Sequence, residues 1–415
     1  MGIRLALAAL ALSLASCKLL ELHRNVQALE QTRLIGGHVS ASDPRGGPVI
    51  AVLVAGDGQE IVDEFVLAGP GAFYFVALPG VYRVAAFEDR NRDFTYQPAD
   101  EPAAWYGAPD AIEVVATRRG GVDLRLPPEP ERALGITVAL SATRRGGSKL
   151  LPPVTAGDVV ALDDPRFAPK NGQLGLWQPV DFMFQVEAGF YFLEPYDPDK
   201  TPVLFVHGAG GTPLDFAYLI EHLDRRRFQP WLMYYPTGLE LDQIADSAVR
   251  WLDRLIIRYD VDRMAVVAHS MGGLVSRAML NRLVARGDGE KLSVYVTLST
   301  PWGGFASAES GVANSPVVMP MWRSMAPSSA FLADLFVHPL PCPHDLLFSY
   351  RGRTLLAGEV ANDGVVAVSS EIPLHVQEQA RRVYGFDHSH MGILNAPEVS
   401  ALVNRLLAGA EDERR

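Results

Sequence analysis

The sequence contains little cysteine and no excess of positive charge. Only Cys17 and Cys342 occur among 415 residues. Two cysteines cannot build a disulfide framework or a thiolate zinc site. Because 37 Lys and Arg are set against 48 Asp and Glu, the formal net charge is −11, which argues against a nucleic-acid partner. With 48 % hydrophobic and 20 % charged residues, the composition is that of a globular protein, and the length predicts two or three domains.

Long apolar runs are also missing. The longest near the N-terminus, Leu5–Ala15, covers about 16 Å as a helix, whereas a bilayer core requires about 30 Å. Together with Arg4 before it, this run predicts a secretory signal in residues 1–16 rather than a membrane span.

The predicted signal ends in Leu14-Ala15-Ser16-Cys17, which resembles the lipobox of bacterial lipoproteins. The resemblance implies that the chain is cut before Cys17 and that Cys17 is acylated, which would anchor the protein in the cell envelope. In such lipoproteins a residue other than Asp at the next position, here Lys18, implies sorting to the outer membrane. An ordinary signal peptide whose small residues happen to precede a cysteine is the alternative.

After a tether over residues 17–33, residues 34–128 show short β-rich runs separated by turn residues, which predicts a small β-sandwich. Two of these runs, Ala72–Leu78 and Val81–Phe87, flank Pro79-Gly80 and predict a hairpin. The stretch 71–89 resembles prealbumin-like and carboxypeptidase-regulatory-like β-domains.

Oxygen donors alternate at Asp89, Asn91 and Asp93, as in the first half of a calcium loop. A loop of the EF type requires Gly at its sixth position and Glu at its twelfth, where this sequence has Phe94 and Asp100. Because Asp and Asn also favour turns, we predict a turn here and no metal site.

Residues 129–173 are predicted to form a connector, and residues 174–410 alternate apolar strands with amphipathic helices. This alternation predicts an α/β domain with a mostly parallel sheet covered on both faces. The predicted strands are Pro202–Val206, Trp231–Tyr235, Met264–Ala268 and Val294–Leu298, and the predicted helices are Pro213–Phe228, Leu241–Tyr259 and Leu274–Ala285.

A serine lies between one of these strands and the helix that follows. Ala268-His269-Ser270-Met271-Gly272 matches the G-x-S-x-G turn, with Ala in the first place. In such a turn only small residues fit two positions before and after the serine, so Ala268 and Gly272 meet the steric demand. The pattern predicts Ser270 as a nucleophile at the start of a helix.

The first core strand runs into His207-Gly208-Ala209-Gly210-Gly211. A loop at this place supplies one backbone N–H of an oxyanion hole, and the residue after the nucleophile supplies the other. The predicted donors are therefore Met271 and Ala209, with Gly210 as the alternative to Ala209. A phosphate-binding loop is disfavoured because the glycine patterns of nucleotide-binding loops are missing.

A serine nucleophile requires a base and an acid farther along the chain. Asp363 follows a predicted strand, Thr354–Leu356, and precedes a glycine, so it is the predicted acid. The base is predicted to be His390, with His388 as the alternative. Asp387 is too close to either histidine in sequence for the usual arrangement. The other histidines, including those at 207, 222, 269 and 344, are predicted to be packing or surface residues.

Taken together, these motifs resemble α/β-hydrolase lipases and esterases, in particular bacterial triacylglycerol-lipase-like proteins and hydrolases that deacylate GPI anchors. The resemblance covers about residues 174–410 and implies hydrolysis of acyl or lipid esters through an acyl-enzyme, with no cofactor and no metal. Ala268 departs from the usual glycine. An acyltransferase or thioesterase with the same residues, and a surface-binding lipoprotein with an inactive hydrolase fold, are the alternatives. The sequence leaves the oligomeric state open.

One apolar insertion, residues 305–349, contains Met and Trp residues that suit an acyl-binding cap or lid. The alternative is that these residues are simply the buried faces of helices that pack on the core.

Overall fold

A computed structural model describes residues 18–56, 58, 60–107, 111–140, 154–352 and 361–412. Cys17 and the predicted strand Thr354–Leu356 lie outside the described residues. The chain divides into two compact units, one drawn from residues 1–26, 159–249 and 262–415, and the other from 27–158 and 250–261. In the described part of the chain, no helix has the length and apolar character that crossing a bilayer demands.

Two sheets form the β-rich unit, preceded by helix α1 over residues 18–30. The first sheet has the order β4-β1-β8 with β9 beside β1, and the second has the order β3-β2-β5-β6 with β7 beside β5. The strands are β1 Arg33–Ala41, β2 Val49–Ala55, β3 Ile61–Leu67, β4 Gly71–Ala77, β5 Gly80–Glu88, β6 Ala103–Trp105, β7 Ile112–Val114, β8 Arg118–Arg119 and β9 Leu124–Leu126.

Both sheets contribute to one core. Alternate residues of β1 and β4, such as Ile35 and Phe75, pack with alternate residues of β2 and β5, such as Leu53 and Val84. All four side chains are at most 1 % exposed. This period of two is the pattern by which the sequence predicts a sandwich.

The predicted hairpin around Pro79-Gly80 is wrong. β4 pairs with β1, whereas β5 pairs with β2, so the chain passes from one sheet to the other at Pro79. A tight two-residue hairpin needs a positive φ in its turn. Proline cannot adopt one, and Gly80 is not among the residues with positive φ. The Tyr82 hydroxyl donates a hydrogen bond to the Leu78 carbonyl at 2.8 Å and so closes this corner.

The α/β unit contains an eight-stranded mixed sheet, except that the first strand, Val154–Val159, is formed mostly by residues that precede residue 159. Its strands are β10 Val154–Val159, β11 Ala188–Phe192, β12 Thr201–Val206, β13 Phe228–Tyr234, β14 Met264–His269, β15 Leu292–Leu298, β16 His344–Ser349 and β17 Arg382–Phe386. The helices are α2 Pro169–Trp177, α3 Pro179–Gln185, α4 Ala217–Glu221, α5 Leu241–Tyr259, α6 Met271–Ala285, α7 Ala306–Asn314, α8 Pro320–Met325, α9 Ala330–Asp334, α10 Val368–Glu371, α11 Leu374–Gln379 and α12 Pro397–Asp412. Short 3-10 helices occur at Pro165–Phe167, Pro213–Phe216, Gly289–Lys291 and Gly392–Asn395.

The strand order is β10-β11-β13-β12-β14-β15-β16-β17. All neighbours from β13 to β17 are parallel, and β11 is antiparallel to β13. Every residue of β12 to β15 is buried, as expected of parallel strands covered on both faces. This sheet fits the predicted α/β-hydrolase fold.

The strand order reverses at β12, because β13 lies on one side of it and β14 on the other. Ligands of open α/β sheets bind at such a switch point, beyond the carboxyl ends of the strands. The loops that begin at His207 and Ser270 follow β12 and β14, so the fold brings both to this place.

Two predicted elements differ in extent. The predicted helix Pro213–Phe228 is a 3-10 turn followed by the short helix α4, which ends at Glu221. The last part of that stretch instead forms a turn, in which the Asp224 carbonyl accepts the amides of Arg227 and Phe228. In contrast, α6 begins three residues before the predicted start at Leu274, directly after Ser270.

The insertion predicted at 305–349 ends earlier, since His344–Ser349 is strand β16 of the sheet. Its remaining residues include the helices α7, α8 and α9 and the segments that connect them. The apolar side chains of Met319, Met325 and Leu335 are at most 5 % exposed. This burial agrees with helices that pack on the core, the alternative to a mobile cap.

Candidate active site

Ser270 occupies a strained turn between β14 and α6. Its backbone has φ 54° and ψ −131°, a left-handed conformation that is unfavourable for any residue with a Cβ. Gly272 is required in the same turn, because a Cβ there would lie 2.3 Å from the Val206 carbonyl oxygen. On the other side, Gly208 approaches so closely that its Cβ would lie 2.9 Å from the Ser270 Cβ. The turn therefore requires a glycine at position 272, as the sequence pattern predicts.

The His390 imidazole joins this serine to a carboxylate. Its Nε2 lies 2.9 Å from Ser270 Oγ, and its Nδ1 lies 2.5 Å from Asp363 Oδ2. Because a carboxylate accepts hydrogen bonds, Nδ1 carries the proton and Nε2 is free to accept the proton of the serine hydroxyl. A backbone bond from the His390 amide to the Asp363 carbonyl, at 2.9 Å, links the same two loops.

The Asp363 carboxylate is fully buried and accepts four hydrogen bonds. Oδ1 accepts the amides of Val365 and Val366 at 2.9 and 2.7 Å, while Oδ2 accepts Ser349 Oγ–H at 3.0 Å and His390. Burial alone would raise the pKa of Asp363. The hydrogen bond and the charge of His390, with the two amides, outweigh burial and hold this pKa below its ordinary value.

The structure separates the two candidate histidines. His388 lies with its Nε2 2.6 Å from Glu398 Oε1, away from the Ser270–Asp363 pair. Asp387 accepts a hydrogen bond from exposed Arg351 at 3.0 Å. His390 is therefore the one that the structure brings to the serine.

The predicted oxyanion loop lies beside the serine, after β12. Gly210 N–H donates to Thr237 Oγ1 at 3.0 Å, so this amide already has an acceptor. The amide of Met271 is the first of α6, where N–H groups have no acceptor within the helix. These contacts favour Ala209 and Met271 over Gly210 as the donors of an oxyanion hole. Sequence reasoning missed Thr237, for which the sequence carries no local signal.

Another residue that sequence reasoning underestimated is His269, which was expected only to pack. Its Nε2 lies 2.9 Å from the His390 carbonyl oxygen, so Nε2 must carry the proton that it donates. Burial, and then the neighbouring His390, lower the pKa of His269 to about 3, which keeps the ring neutral. A polar residue at the end of an otherwise apolar strand is the signal that could have identified it.

His207 is a buried packing residue, as predicted. Its ring stacks on Tyr235 with centroids 4.4 Å apart, and the Tyr235 hydroxyl donates to the His207 carbonyl. Burial lowers the pKa of His207 to about 4.

No group of three or more His, Cys, Asp or Glu side chains in the described ranges is arranged to hold a metal ion. The Asp89 carboxylate instead accepts the backbone amides of Asp93 and Phe94 at 3.2 and 2.8 Å. These contacts form the turn that the sequence predicts at this place.

Comparison with known proteins gives one family match. Residues 199–337, a third of the chain, match the family described as "Putative serine esterase (DUF676)". The matched range contains Ser270 and the loop after β12, whereas Asp363 and His390 lie beyond it. No curated protein matches the chain significantly.

Several solved structures are similar at low identity. The mature form of the Bacillus licheniformis lipase BlEst2 is 17 % identical over 52 % of this chain and 97 % of that chain, with a TM-score of 0.40. The metagenomic carboxyl esterase MGS0156 is 15 % identical over 52 % of this chain and 77 % of that one, also at 0.40. The lin2722 product of Listeria innocua is 14 % identical over 50 % and 94 %, at 0.38.

Proposed function

We propose that this protein is a serine hydrolase that cleaves carboxylic esters through an acyl-enzyme intermediate. The observation that carries the proposal is the position of the His390 ring, which contacts both Ser270 Oγ and Asp363 Oδ2. In this chain of contacts, the serine is the nucleophile, the histidine is its base, and the buried carboxylate orients the base. The match of residues 199–337 to a serine esterase family supports the same reaction class.

In the first step, Ser270 Oγ attacks the carbonyl carbon of the ester while His390 Nε2 takes its proton. Ala209 and Met271 N–H groups stabilise the oxyanion, and Asp363 stabilises the imidazolium that forms. His390 then returns the proton to the departing alcohol, which leaves the acyl group on Ser270. A water molecule, deprotonated by His390, releases the carboxylic acid and restores the serine.

The experiment that tests this proposal is labelling with a fluorophosphonate probe, which reacts with activated serines. We expect the wild-type protein to be labelled and the Ser270→Ala variant to remain unlabelled. Ser276→Ala is the matched control, because Ser276 lies in α6, the helix that follows Ser270, and its hydroxyl donates to the Gly272 carbonyl at 2.7 Å. Absence of labelling in the wild type, where a control esterase reacts, would refute the proposal.

We further propose that a lipid on Cys17 anchors the protein in the bacterial envelope. The lipobox-like sequence that ends at Cys17 supports this location. Each buried methylene contributes about 0.8 kcal/mol to membrane binding, so two or more acyl chains hold a protein firmly.

Cys17→Ser is accordingly expected to move the protein from the membrane fraction to the soluble fraction without changing its kcat on a soluble ester. Fractionation of cells that express either form checks this expectation, with Cys342→Ser as the control. A Cys17→Ser variant that stays in the membrane fraction would contradict the lipid anchor.

A further inference from the structure

A line of buried polar side chains continues from Asp363 away from the Ser270–His390 pair. Ser349 Oγ–H donates to Asp363 Oδ2 at 3.0 Å, and Ser299 Oγ lies 2.6 Å from Ser349 Oγ. At the end of the line, the Glu371 carboxyl interacts with the Ser299 hydroxyl, and its Oε2 accepts the Ser349 amide at 3.2 Å. Asp363, Ser349, Ser299 and Glu371 are all fully buried.

The fold fixes the positions of these groups. Ser349 ends β16, and Ser299 directly follows the paired strand β15 with a left-handed backbone, φ 48°. Such a conformation is unfavourable for serine, so the surrounding structure must impose it. Glu371 is the last residue of α10, whose first residue Val368 donates its amide to the Ala361 carbonyl.

The surroundings of Glu371 favour its neutral form. The charged group that faces it is Asp363, which carries the same sign. Oε1 of Glu371 is buried and has no hydrogen-bond partner among the described residues, so a charge shared by Oε1 would lack a donor. Burial, and then the charge of Asp363, raise the pKa of Glu371 to about 9 and outweigh the Ser349 amide and the Ser299 hydroxyl, which both lower it.

A neutral Glu371 carboxyl has a proton to donate. This proton determines which group is the donor in each hydrogen bond along the line. If Glu371 donates to Ser299, then Ser299 donates to Ser349, and Ser349 donates to Asp363. Each O–H group of the line then donates towards Asp363, the carboxylate that must stay ionised beside His390. A charged Glu371 would instead accept a hydrogen bond from the Ser299 hydroxyl and would place a second negative charge beside Asp363.

We propose that Glu371 is a positioning residue that, through Ser299 and Ser349, holds the Asp363 carboxylate in its orientation towards His390. The inference rests on the proposed function, because it gives Asp363 the task of orienting the base. Glu371 itself touches neither Ser270 nor His390 in this arrangement and acts only through the two serines.

Two variants separate the effect of hydrogen bonding from that of volume. Glu371→Gln keeps a group that accepts the Ser349 amide and donates to Ser299, whereas Glu371→Leu fills the space with apolar atoms. Displacement of a reacting group by 1 Å can cost about 100-fold. We therefore expect Glu371→Leu to lower kcat on a chromogenic ester by about 10- to 100-fold, and Glu371→Gln to recover most of that loss. Rates are expressed per active site titrated with the fluorophosphonate.

A second measurement needs no activity. The folded protein keeps the Glu371 proton up to about pH 9, whereas the unfolded chain releases it near 4.5. Stability from this group is therefore fully present below pH 4.5 and is lost as the pH rises towards 9. We expect the Glu371→Gln variant to gain melting temperature relative to the wild type across this range, since Gln does not titrate.

The outcomes separate this inference from the proposed function. A melting difference that stays constant between pH 6 and 9 would show a charged Glu371 and overturn the inference, whether or not the protein is labelled at Ser270. An unchanged kcat per titrated site in Glu371→Leu would overturn it as well, with Ser270 labelling intact. If the wild-type protein is not labelled by the fluorophosphonate, the proposal that it is a serine hydrolase is refuted. The positioning role of Glu371 is then refuted with it.

Discussion

His390→Ala is expected to lower kcat for ester hydrolysis by about 10⁶-fold, because loss of the base alone removes most of what such a set of residues achieves. The ring that disappears is the one whose Nε2 lies 2.9 Å from Ser270 Oγ. Without it the serine hydroxyl keeps its proton and is a poor nucleophile. The measurement is kcat on a chromogenic ester, together with the rate of fluorophosphonate labelling.

His388→Ala is the matched control for this prediction. His388 lies two residues away in the same loop but contacts Glu398 instead of the serine. We expect its removal to change kcat by less than about threefold, since an exposed side-chain contact of this kind contributes little. Loss of activity in His388→Ala with activity retained in His390→Ala would contradict the assignment of the base.

Asp363→Asn is expected to lower kcat by about 10⁴-fold while the protein stays folded. The Asn carbonyl oxygen can still accept the amides of Val365 and Val366, which hold the loop. Its NH₂ group would then face His390 Nδ1 and act as a donor, which favours the tautomer with the proton on Nε2. In that tautomer Nε2 cannot accept the proton of Ser270.

Asp387→Asn provides the control, because Asp387 is exposed and its carboxylate accepts a hydrogen bond from the exposed Arg351. The melting temperature of both variants shows whether the fold is kept. An Asp363→Asn variant with more than about a tenth of wild-type kcat would contradict the role of Asp363 as the residue that orients the base.

Sequence reasoning identified the serine turn because its determinants are local. A buried strand, a serine and a helix follow one another, and the small residues around Ser270 follow from the sterics of the turn. It favoured His390 as the base but left His388 as an alternative, since both histidines lie in one loop and their side-chain partners come from other segments of the chain. Glu398 and Asp363, which decide the matter, lie 10 and 27 residues away in the chain.

The contacts behind the site were missed for the same reason. Ser299, Ser349 and Glu371 are ordinary residues in sequence. The two serines meet because β15 pairs with β16, and Glu371 comes from α10, which follows later in the chain. The wrong hairpin at Pro79 has a related cause, because the alternation of β4 and β5 is the same whether the strands pair or face each other. The alternation of apolar and polar residues in a strand determines which side chains are buried. It does not determine which other strand pairs with it.

The separation of Ser270 and His390 by 120 residues bears on how the protein folds. Contacts between such distant segments form late, because closing a long loop costs entropy before any contact compensates for it. We therefore expect the base to reach the serine only after β15, β16 and β17 have joined the sheet. A partly folded chain with an intact serine turn therefore still lacks the base, so activation of the Ser270 hydroxyl depends on completion of the sheet.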